Sequence, residues 1–326
     1  MIPDPRENPV LLGHAAAEAV FEGAVAAGRV HHAWLLTGPP GIGKATLAFR
    51  LARRLLATGD PNDVRNPVFN RIAKASHADV LSIGRLIDEK TRKTKKEISV
   101  DQVRTVPGFL HLTPAEGGWR VVIIDGAEDM NRNGANALLK ILEEPPRRAI
   151  LLLTADAPGR LLPTLRSRCR RLVLEPLGEP DMSEALAYLL PEMDADARRR
   201  LAEIAEGCPG RAVALAEEGG LMVAELVHQV LQEAPGIPVP RMYEVAERAT
   251  KSETGFATFM TLLQSGLGDA VRAAARGREG GLASRRPLAE WGEVWHALGR
   301  LQDETERFNL DKRTAIVAGL ELLGRP

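Results

Sequence analysis

The stretch HHAWLLTGPPGIGKATLAFRLARRLL, residues 31–56, constrains this chain more than any other. An apolar run from Ala33 to Thr37 reads as a short buried strand. It leads into a glycine-rich loop, and the loop leads into a helix. In that helix Leu47, Leu51 and Leu55 recur on one side, with Arg50, Arg53 and Arg54 interspersed. Within this strand–loop–helix context Gly38, Gly43 and Lys44 satisfy the spacing G-x-x-x-x-G-K of a phosphate-binding loop. Such a loop works because successive backbone N–H groups and a helix N-terminus point at one anion. Gly38, Gly41 and Gly43 let the backbone come close, Pro39 lies between them in the loop, and Lys44 supplies a positive charge to the outer phosphates. These residues, with Ala45 and Thr46, form the candidate nucleotide-binding stretch; ATP or ADP is the cofactor it could take, and none is certain from the residues alone.

The position after the lysine breaks the pattern. A hydroxyl there normally holds magnesium, and here stands Ala45. Thr46 lies one residue on, which turns a helical side chain by roughly 100°, so it is expected to point away from the phosphates. The second metal-side group is expected at the end of another buried strand. Trp119 to Asp125 (WRVVIID) is almost continuously apolar, as a strand buried on both faces of a parallel sheet should be. Asp125 ends it and joins the candidate binding set. Gly126 follows where a water-activating glutamate is usual, and Glu128, two residues further, is expected to face elsewhere. One missing polar catalytic group commonly costs ~10²–10³ in rate. Two such losses predict no useful turnover, while the amide cradle and Lys44 remain and leave nucleotide binding open.

Around these motifs the chain alternates strand and helix through residue 175. ADVLSIG reads as a second strand. ISVDQVRTV carries Ser99 and Gln102 at capping-box spacing, which starts a helix. NGANALLKILEEPP is a helix stopped by Pro145 and Pro146, with Leu138, Leu139 and Leu142 facing the core. RAILLLTAD and the segment near Arg171 to Leu174 are further strands. This alternation predicts an open α/β parallel sheet with helices on both faces. Glu175–Asp181 and Glu233–Arg241 are Pro-rich linkers, and the segment after each reads as helical. The expected domains are an α/β phosphate-loop domain at 1–175, a small helical domain at 176–235 and an all-α domain at 236–326.

Composition removes several classes of function. The 326 residues are 44% hydrophobic and 26% charged, with a formal net charge of zero. The whole molecule is therefore no polycation, and any nucleic-acid contact must come from a local patch or from partners. The basic stretch Glu89–Glu97 (EKTRKTKKE) reads most simply as a solvated surface turn, and as a DNA contact otherwise. Cys169 and Cys208 are the only two cysteines and cannot by themselves form a zinc site. No run reaches ~18 apolar residues, so no membrane span is expected. The start MIPDPRENPVLLGH lacks the apolar run of a signal peptide, and a cytoplasmic setting is the expectation.

The segments VIIDGAEDMNRNGANALLKILEEPP and GRLLPTLRSRC closely resemble the sliding-clamp loader subunits of bacterial DNA polymerase III. These are AAA+ proteins related to replication factor C small subunits. Asn136–Pro146 and Ser167–Cys169 are the most specific stretches. The resemblance covers the first ~215 residues well, and FNLDKRTAI (308–316) looks like the closing helix of the family's collar. It implies an AAA+ domain, a helical lid and a C-terminal collar that oligomerises. Gly-Lys-Ala and Asp-Gly resemble the delta-prime branch rather than the motor branch, gamma or tau, which has Gly-Lys-Thr and Asp-Glu. The chain also ends soon after the presumed collar, without tau's long extension.

On the resemblance Arg168 would be an arginine finger acting in trans on a neighbouring ATP site. Thr154 would be the sensor-1 residue and Arg211 the sensor-2 residue of a nucleotide site. The implied partners are the gamma/tau and delta subunits, the sliding clamp transiently, and primer-template DNA through the assembled complex. Polymerase activity belongs to the holoenzyme, and little independent activity is expected of this chain. A working ATPase of gamma/tau type, using Glu128, is the alternative. Family members often carry a four-cysteine zinc module between the first helix and second strand. Residues 57–79 have no cysteine here, so no zinc is expected and the module is shortened or rebuilt. His31 and His32 either line an adenine pocket or serve the fold.

Overall fold

Five short segments become parallel strands: β1 (Ala33–Thr37), β2 (Val80–Ile83), β3 (Arg120–Ile124), β4 (Ala149–Ala155) and β5 (Arg170–Val173). In this computed structural model they lie in the order β2-β3-β4-β1-β5. Every residue of β1, β3 and β4 is buried, which is why these three read as unbroken apolar runs, while β2 and β5 form the more exposed edges. Residues 3–86, 94, 95, 97–116, 118–217, 219–252, 254–275 and 286–324 are described. Most of the basic stretch Glu89–Glu97 lies outside them.

The chain divides into two compact units, Met1–Ala212 and Val213–Pro326. The first holds the sheet and its covering helices: α1 (Ala15–Ala26), α2 (Lys44–Leu56), α3 (Pro67–Ala73), α4 (Val100–His111), α5 (Arg132–Glu143) and α6 (Pro163–Arg166). Helices α7 (Glu179–Leu189) and α8 (Ala195–Ile204) come next, and α9 (Pro209–Glu217) begins at this unit's end. This is the α/β phosphate-loop architecture expected of an AAA+ domain. Helix α4 starts at the Ser99–Gln102 capping box, with both reciprocal bonds formed. Leu138, Ile141 and Leu142 of α5 pack with Val103 and Val106 of α4 against Val122 and Ile124 of β3.

Residues 57–79 hold helix α3, whose N-cap Asn66 accepts from Val68 N–H. Phe69 of α3 packs at 4.6 Å beneath the guanidinium of Arg53. Arg53, one of the arginines interspersed among the leucines of α2, is fully buried. It donates to the carbonyls of Arg6 and Asn8, both at 3.1 Å, and so ties the N-terminal segment to α2. Burial, then repulsion from Arg50, lowers its pKa to about 10. Asp79, just before β2, is fully buried too. It accepts from the N–H groups of Ala115 (2.8 Å) and Glu116 (3.1 Å) and pairs with Arg120 at 3.3 Å. Arg120 further donates to the carbonyls of Phe109 and Thr113. Both buried cations are thus met by several acceptors, which is the condition under which a charge tolerates burial.

The second unit is helical in its described part: α10 (Gly220–Glu233), α11 (Val239–Ala249), α12 (Gly255–Ala275), α13 (Leu288–Phe308) and α14 (Lys312–Gly324). Phe256, Phe259 and Trp291 are buried at its centre. The stretch 308–316 runs from the last residue of α13 through the turn at 309–311 into the first residues of α14. Asn309 caps α13 in the left-handed conformation, and Asp311 accepts from Thr314 N–H at the start of α14.

Candidate nucleotide-binding site

Parallel strands bring their carboxyl ends to one edge, where ligands of open α/β sheets are bound. Leu36 and Thr37 of β1 lie opposite Thr154 and Ala155 of β4, and Ile124 of β3 lies opposite Leu153. That register gathers the loop after β1, Asp125 and Thr154 at one edge of the sheet. They line a cavity of about 680 Å³ together with Gly41, Lys44 and Ala45. The volume falls in the range of small-molecule sites, about 300–1,000 Å³. Thr46 lines the same cavity and is buried. Residues of the N-terminal segment, among them Val10, Leu11 and Leu12, close another side.

The loop has the backbone that its sequence promises. Gly43 is the N-cap of α2 in the left-handed region (φ 104°), with no side-chain cap on the helix. The first-turn N–H groups of α2 are therefore available to an anion. Gly41 is also left-handed (φ 76°), and a Cβ there would lie 2.6 Å from the Arg211 backbone nitrogen. Glycine at 41 permits the start of α9 to seat on the loop, where Gly210 N–H donates to the Gly41 carbonyl at 2.8 Å. His14 braces the loop from the other side by donating from Nε2 to the Ile42 carbonyl at 2.8 Å. Burial holds its imidazole below the ordinary 6.5.

Lys44 is only 7% exposed. Its ammonium donates to the carbonyls of Gly38 (2.9 Å) and Pro39 (2.7 Å) and pairs with Asp156 at 2.5 Å. Sequence reasoning missed Asp156. The register was the available signal, since two residues beyond Thr154 the chain draws level with Gly38. At the end of β3, Thr154 donates from Oγ1 to Asp125 Oδ1 at 2.6 Å and accepts from Gly126 N–H at 2.9 Å. The two predicted residues Asp125 and Thr154 are thus bonded directly to each other.

Gly126 is more than a missing glutamate. Its φ is 76°, and a Cβ would come within 2.9 Å of Asp129 Oδ2. The chain leaves β3 through a left-handed turn that an L side chain strains. Glu128, expected to face elsewhere, lines the cavity. Its Oε1 accepts from the N–H groups of Asp156 (2.5 Å) and Ala157 (3.1 Å), so this oxygen caps the loop after β4.

The remaining predicted residues lie apart from the phosphate loop's lysine. Arg211 turns its side chain to Glu206, 3.1 Å away, and Pro209 and Gly210 line the cavity beside it. His31 and His32 stack on one another at the start of β1, the opposite end of the strand from the loop. Five residues at ~3.3 Å each separate them from it, and the adenine-pocket reading is corrected to a structural one. Arg168 sits just past α6, 36% exposed, bonded to Glu143 (2.7 Å) and to the Thr164 carbonyl (2.9 Å). Next to it Cys169 turns inward and donates to the Leu165 carbonyl. Burial pushes its thiol up to about 12, so it is a packing residue. Arg170 lies over the Trp34 ring, and Arg171 donates to Thr37 Oγ1.

A family model described as "DNA polymerase III, delta subunit" matches residues 13–178, which hold the sheet, the loop and the Ser-Arg-Cys turn. The chain belongs to this family. DNA polymerase III subunit delta' of Pseudomonas aeruginosa is 39% identical over 193 residues, covering 58% of this chain and 56% of that protein. Subunit delta' of Escherichia coli K12 is 35% identical over 220 residues, covering 65% and 63%. A subunit gamma of Buchnera aphidicola (subsp. Schizaphis graminum) is 27% identical over 220 residues, covering 65% and 58%. The chain spans less than two thirds of the length of these relatives. Delta' proteins are thus more similar to it than this gamma subunit. Among the described residues no helix is long and apolar enough to cross a membrane.

Proposed function

We propose that this chain is the delta-prime-type stator of a DNA polymerase III clamp loader. In this reading it joins gamma/tau and delta subunits in a ring that loads a sliding clamp on primed DNA. Its own nucleotide site binds without hydrolysing, and Arg168 completes the ATP site of the neighbouring subunit. The reading is carried by one contrast within the first unit. Where a motor needs a hydroxyl and a glutamate, this chain has Ala45 and a left-handed Gly126. Where a neighbour would need a cation, Arg168 stands at the surface.

The cradle fits the phosphates of a nucleotide: Gly41 and Gly43 shape it, the N-terminus of α2 faces it, and Lys44 lies beside it. A bound nucleotide supplies the phosphoanhydride that a motor would cleave. This chain's residues hold and orient it, with Asp125 and Thr154 bonded to each other at the edge. The alternative, a gamma/tau-type ATPase, would draw on Glu128, but one oxygen of that carboxylate is taken by two backbone N–H groups. Supplied in trans, an arginine finger is worth 10³–10⁵ in rate.

The test is ATP turnover of a loader reconstituted with the wild-type chain or with Arg168→Ala, driven by clamp and primed DNA. The isolated chain serves as control. The proposal expects an inert isolated chain and a slowed but intact loader with Arg168→Ala. Motor-like hydrolysis by the isolated chain, abolished by Lys44→Ala, would overturn it.

A further inference from the structure

An ammonium has three N–H donors and no more. Lys44 has a partner of this chain for each: the Gly38 carbonyl at 2.9 Å, the Pro39 carbonyl at 2.7 Å and the Asp156 carboxylate at 2.5 Å. A phosphate can meet Lys44 only by displacing one of them. The two carbonyls belong to the loop that carries the lysine. Asp156 comes from another strand and its side chain is 48% exposed, so it is the replaceable partner. Its backbone is nonetheless fixed, because Glu128 Oε1 accepts from its N–H at 2.5 Å. The carboxylate is therefore kept near Lys44 even when a ligand competes for the ammonium.

We infer that Asp156 makes this site select a nucleoside diphosphate over a triphosphate. The inner phosphates are met by loop amides and the N-terminus of α2, groups that Asp156 leaves untouched. A phosphate-loop lysine reaches the second and third phosphates, and the third, furthest from the loop amides, depends on Lys44 the most. There it meets a carboxylate already paired with that lysine, and Asp125 lines the same cavity. No hydroxyl at position 45 helps to hold a divalent cation that would screen these charges. The repulsion between like charges falls most heavily on the third phosphate, which adds its charge beside the carboxylate with the fewest loop amides to hold it. The inference rests on reading the loop as a nucleotide site and makes no use of Arg168.

The experiment is calorimetric titration of the full chain with ADP and with ATP, in magnesium, for wild type, Asp156→Asn and Asp156→Ser. Wild type is expected to bind ADP more tightly than ATP. Removing one carboxylate charge beside the outer phosphate should tighten ATP by about 10-fold and ADP by less than about 3-fold. Equal or tighter binding of ATP by wild type would overturn the inference without the use of any variant. So would an equal shift of both nucleotides in the two variants, or no binding of either nucleotide at millimolar concentration. Melting curves matching wild type show that the variants are folded. Loader turnover with Arg168→Ala is a separate readout, so diphosphate selection and the stator role can fail independently.

Discussion

Lys44 and Arg168 are both cations of the first unit, and they are held in opposite ways. Lys44 is buried and gives each of its donors to an acceptor of its own chain. Arg168 lies at the surface and uses two of a guanidinium's five donors in its bonds to Glu143 and the Thr164 carbonyl. Its partner Glu143 is itself half exposed, so the pair is screened and weak. A cation closed in by its own fold serves that fold until something displaces a partner. A cation with donors to spare at the surface can serve another molecule. Arg53 and Arg120 are buried like Lys44, although the Nε of each has no hydrogen-bond partner.

The largest effect that would break this contrast concerns Arg168. Arg168→Ala should slow hydrolysis at the site it serves by on the order of 10³-fold, and Arg168→Lys should recover little, since a point charge lacks the planar fork. Single-turnover measurements on a reconstituted loader check this, and an unchanged rate would place Arg168 with the structural arginines. Next comes a comparison of partners. Asp79→Ala leaves Arg120 buried without its carboxylate and should cost about 3–5 kcal/mol in urea denaturation. Glu143→Ala should cost no more than about 1 kcal/mol. Similar costs would mean that the surface pair is as structural as the buried one.

Gly126→Glu tests whether the site is merely blemished. A side chain in this left-handed turn should destabilise the chain by about 1–3 kcal/mol. Combined with Ala45→Thr it should restore little turnover unless the turn rearranges. An unchanged melting point together with brisk ATP hydrolysis would show that two substitutions alone separate this site from a motor. The smallest effect is on pH dependence. Burial holds the imidazoles of His14 and His77 below 6.5. The unfolded chain therefore takes up these protons first as pH falls. Their stabilising contribution is present above the ordinary histidine range and is lost as pH drops through the lowered values, by at most about 1.4 kcal/mol per pH unit for each group. His77→Gln should flatten the acid side of the curve of melting temperature against pH, and an unaltered slope would exclude His77 as a contributor.

Much of this was legible without coordinates, for local reasons. Strands β1, β3 and β4 are buried on both faces, so their sequences are apolar without alternation. The phosphate loop is encoded in consecutive residues, because its function is to fold one short backbone stretch around an anion. The Ser99–Gln102 capping box is local as well. The burial of Arg53 was not legible, because helical spacing names the side of a helix but not what covers it. The carbonyls of Arg6 and Asn8 and the ring of Phe69 lie far from Arg53 in the chain. Asp156 escaped notice because a carboxylate two residues past Thr154 has no motif of its own.

The sequence by itself determined which groups this site possesses: an amide cradle, a lysine, an aspartate at a strand end, no hydroxyl at 45 and no glutamate at 126. Those are facts of covalent composition at fixed spacing, and no packing can supply the missing oxygens. Only the tertiary structure decided how the charges are matched. The parallel register of β1 and β4 sets Asp156 against Lys44, and the left-handed exit from β3 turns Glu128 toward the loop after β4. Charge pairing depends on distances between residues remote in the chain, and those distances exist only after the sheet has formed.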